Sequence, residues 1–445
     1  MKVKLSDHFT YSKLLKFVLP SVAMMIVTSI YGVVDGLFIA NFSSKTAYAA
    51  VNFIFPAIMI LSTPGFMLGT GGGALVSKAL GENEPERANR LFSLFVYAGM
   101  AAGLFFGTLA FILMPSIATL FGAGGDLLSE AVTYGRIVVV GCIPQTMHFV
   151  FQSLSSTAEK PEIEFRVTLA AGCTNVVFDA LFVGVFKWGA AGAAVATVLA
   201  QCVSGFTPFI YFIRPNTSLL RLSRPYWDGR AMLKACTNGS SELMSNISMS
   251  LVSMLYNVQL LKYLGEDGVA AYGTVMYVNF ILISAFIGYS IGTSSLVGYN
   301  FGAKNKKELK NLLKKSLLIL ALTGAAMTLL AYFCAYPLSY PFSHNDRELL
   351  DLTVHGFKIM SFTFFLSGFA IFLSSFFTAL SDGLSSAIIS FLRTIVFELL
   401  LVLFLPVLVG PDGIWYAGLL AEFLGTTLAF GFLIGKRKHF GYFDK

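Results

Sequence analysis

Apolar runs long enough to cross a bilayer follow one another from residue 15 to residue 435, and short polar stretches separate them. A transmembrane helix needs about 20 mainly apolar residues. The pattern therefore predicts an all-α polytopic membrane protein with twelve transmembrane helices and both termini on one side. The predicted spans are 15–40, 49–77, 91–118, 131–157, 165–187, 190–213, 235–261, 268–299, 314–340, 353–379, 384–409 and 413–435.

The two halves of the chain repeat each other. A shift of 221 residues aligns Leu75-Val76 with Leu296-Val297, Gly81 with Gly302, Gly135 with Gly356, and Thr157-Ala158 with Thr378-Ala379. Six spans in each half give both halves the same orientation in the membrane, so the repeat is parallel. We predict two six-helix lobes, residues 1–213 and 235–445, joined by a linker at 214–234, with substrate bound between the lobes near the membrane midplane.

Composition agrees with this class and narrows the possible partners. Hydrophobic residues make up 56% of the chain and charged residues 12%, whereas soluble domains carry about 25% charged residues. The net charge of +7 comes from Lys and Arg in short loops, so we expect no nucleic-acid partner. Each cysteine lies singly within an apolar run, without metal-ligand spacing, and we expect no disulfide or metal site from them.

The distribution of basic residues predicts the orientation in the membrane. The loops after the odd-numbered spans contain only Lys45 and Arg347, whereas the N-terminus, the other loops and the C-terminal tail contain most of the remaining Lys and Arg. Cytoplasmic loops of membrane proteins are enriched in these residues. We therefore predict that both termini and the linker are cytoplasmic, in a protein of the cell membrane.

Three segments resemble the multidrug and toxic compound extrusion (MATE) family. They are FVLPSVAMMIVTSIYGVVDGLFIANF in span 1, GTGGGALVSKALGENE after span 2, and NVVFDALFVGVFKWGAAGAAVAT across spans 5 and 6. With the six-plus-six repeat, the resemblance covers essentially the whole chain. It implies two lobes around a V-shaped cleft that opens alternately to each side, and export of organic cations driven by inward sodium or proton movement.

Two acidic residues within the spans of the first half are candidate ion-binding groups. An ionised side chain at the bilayer centre costs roughly 2.5 to 3.5 kcal/mol, so such residues face a cavity or the bundle interior. Asp35 and Asp179 lie at similar depth in spans 1 and 5, and Asn175 precedes Asp179 by one helical turn. Their oxygen atoms could hold Na⁺ or share a proton, or the acids could simply fix helix packing.

The family resemblance adds residues to this site. It implies a polar site in the N-lobe formed by Tyr31, Asp35, Asn175, Asp179 and Thr197. It also implies that Pro20 permits a bend in span 1 that is linked to the state of the acid, although a static kink is an alternative because proline removes a helical hydrogen bond anyway.

The second half contributes further polar residues within its spans. Glu242 lies near the cytoplasmic end of span 7, where it either faces the cleft or reaches the headgroups. Arg393 and Glu398 are five residues apart in span 11, and we expect structural pairing across the C-lobe rather than a transport role, although both are candidates for a C-lobe cavity. His148 in span 4 is expected to be a packed residue, as most lone histidines in apolar segments are.

The resemblance implies a secondary active antiporter that exports amphipathic small-molecule cations, and we expect a monomer without a cofactor other than the coupling Na⁺ or H⁺. The chain contains no Walker motif and no catalytic motif within its spans, so an enzyme is not expected. The alternative is a flippase of a lipid-linked precursor with the related fold. Such proteins often have a strongly basic central cavity, whereas only Arg393 lies deep here.

Overall fold

The computed structural model describes residues 3–120, 123–224, 226–343 and 346–442, and these residues form helices and no strands. The first half contains α1 Tyr11–Phe42, α2 Lys45–Gly81, α3 Pro85–Leu120, α4 Gly125–Val140, α5 Cys142–Thr157, α6 Pro161–Asp179, a π-helical segment Ala180–Val185 and α7 Gly189–Ile213. The second half contains α8 Gly229–Asn238, α9 Ser240–Gly302, α10 Lys306–Phe333, α11 Ala335–Ser343, α12 Arg347–Ser361, α13 Thr363–Ala379, α14 Gly383–Phe391, a π-helical segment Leu392–Phe397, α15 Glu398–Val409, α16 Asp412–Gly435 and α17 Arg437–Phe440.

The helices correspond to the predicted membrane spans. Within the described ranges, nine helical stretches are long and apolar enough to cross a membrane. Two further spans are bent pairs: α4 and α5 meet at 57°, and α12 and α13 meet at 45°. The 63-residue α9 contains two spans, because its helix is interrupted at Gly265. Counted in this way, the helices give the twelve predicted spans in two sets of six.

Several boundaries differ from the predicted ones. The predicted loop between the spans 235–261 and 268–299 is a turn at one residue, Gly265. Its φ of 69° and ψ of −159° suit glycine and few other residues. Span 7 begins at Ser240 rather than near 235, because α8 continues to Asn238. Span 9 begins at Lys306 rather than 314: lysine is a good helix former, so the lysine-rich stretch continues the helix beyond the apolar run.

The halves pack together through equivalent glycines. Gly71 and Gly292 are related by the shift of 221 residues, as are Val18 and Gly239. A Cβ placed on Gly71 would lie 2.6 Å from the Gly239 nitrogen, and one on Gly292 would lie 3.1 Å from the Val18 Cα. The shift of 221 residues turns the contact between Gly71 and Gly239 into the contact between Gly292 and Val18. Such reciprocal contacts are what a two-fold pseudosymmetric repeat requires.

The contacts between the halves gather at the end of the bundle that carries the chain termini. Besides the pairs just described, Gly288 in α9 packs against Ser21 and Val22 in α1. Toward the opposite end, an added Cβ on Gly36 or Gly273 would meet no atom within 4 Å. The lobes are therefore closed together at the end with the termini in this conformation.

The N-terminal segment, residues 3–10, ties the two halves together at this closed end. The Leu5 amide donates to Glu159 Oε1 at 2.6 Å, between α5 and α6 of the first half. The Phe9 amide donates to Glu308 Oε1 at 2.9 Å, and His8 Nδ1 lies 2.7 Å from Glu308 Oε2 in α10 of the second half. Leu5 and Phe9 are both buried, so the segment is packed and not merely resting on the surface.

Candidate functional site

Asp35 and Asp179 are placed on two neighbouring helices of the first half. Asp35 lies in the last third of α1, and Asp179 is the last residue of α6, directly before the π-helical segment. Asn175 precedes Asp179 by four residues, so both side chains project from the same face of α6. The helices α1 and α6 pack along each other, which brings the predicted acids to one place.

The acidic side chains meet in the interior of the first lobe. Asp35 faces both Asp179 and Asn175, while Asp179 and Asn175 are 0% and 2% exposed. Tyr31, one turn before Asp35, packs against Gly172 of α6, whose added Cβ would lie 3.3 Å from the tyrosine ring. The structure thus brings together the four sequence-predicted residues of α1 and α6.

The buried oxygen atoms at this site lack hydrogen-bond donors. In the described part of the chain no partner is present for Asp35 Oδ1, Asn175 Oδ1 or either Asp179 oxygen. Thr197 Oγ1 on the neighbouring helix α7 is likewise buried without a partner. Buried polar atoms in proteins are nearly always satisfied, so a group of orphaned oxygens requires an explanation. A cation or a shared proton supplies one, because hard oxygen ligands suit small cations and adjacent carboxylates repel each other when both are ionised.

Tyr134 is a residue of this site that the sequence analysis missed. It lies on α4, is 4% exposed, and is close enough to Asp35 and Asp179 for electrostatic interaction with both. No motif or spacing identifies it, because a single tyrosine in a membrane span is ordinary. Its proximity to the acids depends on how α4 packs in the lobe, which the apolar pattern does not reveal.

The turn after Asp179 is irregular and firmly packed. The π-helical segment widens the helix from Ala180, and such segments occur frequently at functional sites. Phe182 stacks on Trp188 with ring centroids 4.9 Å apart and planes 10° apart. Gly192 of α7 allows this approach, since an added Cβ would lie 3.1 Å from Phe182. The aromatic contacts hold the end of α6 in place beside α7, which carries Thr197.

A family model described as MatE matches residues 20–181 and 243–404, one match in each half. The chain belongs to the MatE family. Its relatives include the multidrug export protein MepA of Staphylococcus saprophyticus, 23% identical over 420 residues that cover 93% of this chain and 91% of the relative. MepA of Staphylococcus haemolyticus is 23% identical over 425 residues, covering 94% and 92%. The chain is thus a member of a family of multi-pass multidrug export transporters, which is not an enzyme family.

Solved MATE structures have the same fold. A crystal structure of MATE in complex with MaL6 matches with a TM-score of 0.92 at 18% identity, covering 98% of both chains. A structure described as the outward-facing conformation of a multidrug resistance MATE transporter matches with a TM-score of 0.91 at 20% identity, covering 98% of this chain and 97% of that one. The two-lobe, twelve-span architecture predicted from the sequence is confirmed.

Proline at position 20 does not interrupt the first helix of this MATE protein. The helix α1 runs without a break from Tyr11 to Phe42 and includes Pro20. A MATE structure in the straight conformation matches this chain with a TM-score of 0.92, and one in the bent conformation with 0.86. The role of Pro20 in bending stays a prediction.

In the second lobe of the MATE fold, Arg393 pairs with Glu422. Arg393 Nε lies 3.0 Å from Glu422 Oε2, and Nη2 lies 2.7 Å from Oε1, in a bidentate pair between the π-helical segment and α16. The side chains are 13% and 15% exposed. Arg393 therefore pairs across the lobe, as expected, and its partner is on another helix.

Two further acids of the second lobe are Glu398 and Glu242, and Glu398 is close enough to Arg393 and Glu422 for electrostatic interaction with both. Glu398 is the first residue of α15 and faces Tyr256 of α9. Tyr256 is equivalent to Asp35 under the shift of 221 residues, so Glu398 lies in the region that corresponds to the first-lobe site. Glu242 lies in the first turn of α9 and is partly buried. Their proposed place in a C-lobe cavity stays a prediction.

Proposed function

We propose that this MATE protein is a secondary active antiporter that exports amphipathic organic cations by alternating access, driven by inward movement of Na⁺ or H⁺. The relatives named as multidrug export proteins support an export role. We further propose that it acts as a monomer in the cell membrane, with both termini cytoplasmic. Its energy source is then the coupling ion, and no other cofactor is needed.

The observation that carries this proposal is the group of orphaned oxygens between α1 and α6. Asp35, Asn175 and Asp179 present buried oxygen atoms without donors, and one Na⁺ or one proton at this place would relieve the repulsion between the carboxylates. Thr197 adds a hydroxyl oxygen on α7, and Tyr31 flanks the site. In this proposal Asp35 and Asp179 bind the coupling ion and the other three position it.

Ion binding can drive transport only through a difference in affinity between conformations. A cation bound at the acids neutralises them in one conformation more favourably than in the other, and that difference shifts the populations of the two states. The lobes are closed at the end of the termini here, so transport requires this end to open and the opposite end to close. The helix α1 contributes both Asp35 and contacts with the second lobe, through Val18 and Gly292, and so connects ion binding to lobe movement.

Export of a lipid-linked precursor is the second candidate, and the second lobe gives it little support. An anionic lipid needs a free cationic group in the cavity. The deep cation, Arg393, is already held by both oxygens of Glu422. In a bidentate pair of this kind the carboxylate accepts two hydrogen bonds from the guanidinium and balances its charge. Arg393 is therefore not a free cation for an anionic lipid.

The test is transport by purified protein in sealed vesicles, with sodium and pH gradients imposed separately. Efflux of a fluorescent organic cation should follow one of the two gradients. Asp35→Asn and Asp179→Asn should each abolish the response to that gradient while substrate still binds, because the amide cannot be neutralised by an ion. Glu162→Gln is the matched control, since Glu162 is an exposed acid in the first turn of α6. Normal coupling in both aspartate variants would refute the site.

A further inference from the structure

The helix α6 carries a buried polar stripe that continues beyond the coupling site. Glu164, Thr168, Asn175 and Asp179 are 1%, 1%, 2% and 0% exposed. Their spacing of four, seven and four residues places them on one face of the helix. At 1.5 Å per residue the stripe spans about 22 Å from Asp179 to Glu164, so it reaches from the acids to the end of the bundle that carries the termini.

The inner end of the stripe is a buried titratable pair. His148 Nδ1 on α5 lies 3.0 Å from Glu164 Oε1, and the two side chains are 6% and 2% exposed. The Ser155 hydroxyl on α5 lies 3.5 Å from Glu164 Oε2. The pair therefore places two groups that can each accept a proton, a carboxyl group and an imidazole, next to each other at the inner end of the stripe.

The stripe lacks the hydrogen bonds that a purely structural polar face would have. Within the described residues no partner is present for Thr168 Oγ1, and Asn175 Oδ1 and both Asp179 oxygens are equally without donors. These atoms lie on a helix that crosses the membrane, where polar groups are retained chiefly for function. Buried polar atoms without a protein partner are usually hydrogen-bonded to water, and waters along the stripe would connect Asp179 with Glu164.

The helices that face the stripe are polar at the same places. Ser21 Oγ of α1 lies 3.2 Å from Ser156 Oγ of α5. The Gln152 amide of α5 donates to Met25 Sδ of α1 at 3.3 Å. The interface between α1 and α5, beside the stripe, therefore contains hydroxyl and amide groups as well as aliphatic side chains. Such groups can hydrogen-bond to water.

We propose that His148 and Glu164 form an inner proton-relay site, and that Asn175 and Thr168 line the route by which a proton leaves the Asp35–Asp179 site. The proposal rests on the proposed ion coupling and narrows the coupling ion to the proton. In the step, an O–H bond at Asp179 breaks and one forms at a neighbouring water, which gives up one of its own protons to the next water in a file beside Asn175. The last water protonates the Thr168 hydroxyl, which in turn releases its own proton. Glu164 receives it and shares it with His148, from which it passes to the aqueous side of the termini.

Two variants test the relay. Glu164→Gln removes the carboxyl group but keeps the shape of the side chain, and Thr168→Val removes a hydroxyl that has no protein partner, so folding should be retained. Each should slow pH-gradient-driven efflux and the associated proton release by about tenfold or more, since losing a proton-transfer group typically costs at least that factor. Substrate affinity should not change. Glu164→Gln should also flatten the dependence of efflux on the pH of the side that carries the termini.

Matched controls lie on the same helix. Glu162→Gln changes an exposed acid in the same turn as Glu164. Thr174→Val changes a threonine whose hydroxyl already donates to the Ala170 carbonyl at 2.8 Å. Both should leave efflux and its pH profile as in the wild type. A merely structural role of the stripe predicts lower thermal stability of Glu164→Gln, with an unchanged pH profile and no effect of Thr168→Val on efflux.

The outcomes separate this inference from the proposed function. Wild-type efflux by Glu164→Gln and Thr168→Val, together with uncoupling by Asp35→Asn, overturns the relay and leaves the coupling site standing. Efflux that follows a sodium gradient without proton movement also overturns the relay. Normal coupling in Asp35→Asn and Asp179→Asn overturns both the relay and the proposed coupling site. Slow proton release in the two stripe variants, with normal controls, supports the relay.

Discussion

Gly81 and Gly302 occupy equivalent positions in the two halves of the chain, and each packs against the helix that carries the other. A Cβ on Gly81 would lie 2.0 Å from the Tyr299 carbonyl oxygen, and one on Gly302 would lie 2.1 Å from the Lys78 carbonyl oxygen. Lys78 and Tyr299 are themselves equivalent. This reciprocal backbone contact closes the end of the bundle that carries the termini.

Gly81→Ala should hold this end open. The added Cβ meets backbone, which cannot move aside as a flexible side chain can, so the closed conformation should lose most of its population. Spin labels at Glu86 and Lys307, which are exposed and equivalent in the repeat, report the separation of the lobes. Their distance distribution should shift to longer values in the variant. Gly431→Ala is the control, because its added Cβ meets nothing within 4 Å, and the same shift there would contradict the explanation.

The sequence predicted the architecture because the membrane imposes strong constraints. Span length follows from bilayer thickness, and the repeat is visible in glycine pairs such as Gly81 and Gly302. Spacing also predicted that Asn175 and Asp179 share a face. What the pattern does not predict is the local geometry: the single-residue turn at Gly265 and the π-helical segment after Asp179 depend on packing between helices.

Partners across helices were harder to predict than positions within them. Glu164 lies in the first turn of α6, where an acidic residue is usually exposed to solvent, yet Glu164 is only 1% exposed. From the sequence, its partner His148 was predicted to be an ordinary packed histidine. Arg393 was expected to pair across its lobe, but only the structure identifies Glu422 as the partner. Such pairings depend on how α5, α6 and α16 rotate about their axes, which helical periodicity alone does not determine.

Breaking the Arg393–Glu422 pair should destabilise the second lobe. Glu422→Gln leaves the buried guanidinium without its counter-charge, and removing one partner of a buried pair typically costs about 3 to 5 kcal/mol. Replacing both residues, as in Arg393→Met with Glu422→Leu, should recover most of that loss. Thermal unfolding in detergent measures the effect. If the single variant is as stable as the wild type, the pair makes no net contribution to stability.

The orientation in the membrane can be tested with two exposed positions. Trp227 lies in the linker and is 72% exposed, and Asp126 lies in the first turn of α4 at the opposite end of the bundle. In a protein without its native cysteines, Trp227→Cys should react with a membrane-impermeant thiol reagent only after cells are opened, because basic loops remain cytoplasmic. Asp126→Cys should react in intact cells. The reverse pattern would invert the predicted topology.

Glu159, which binds the N-terminal segment, should make the folded protein more stable as the pH falls. Burial raises the pKa of Glu159, which lies outside the spans, while the Leu5 amide and the neighbouring Lys4 and Lys160 oppose that shift and Asp7 adds to it. A carboxyl group with a raised pKa binds its proton more tightly in the folded state than in the unfolded state. Its contribution to stability is therefore fully present below the unfolded value and is lost as the pH rises through the folded value.

Glu159→Gln isolates this effect, because the amide is neutral at every pH. The melting temperature of the wild type relative to this variant should fall as the pH is raised above the ordinary glutamate value of 4.5, since the buried carboxylate is then forced to ionise. Melting curves of both proteins across that range, in one buffer series, measure the difference directly. Parallel curves would mean that the Leu5 hydrogen bond to Glu159 Oε1, at 2.6 Å, fully compensates the cost of burying the charge.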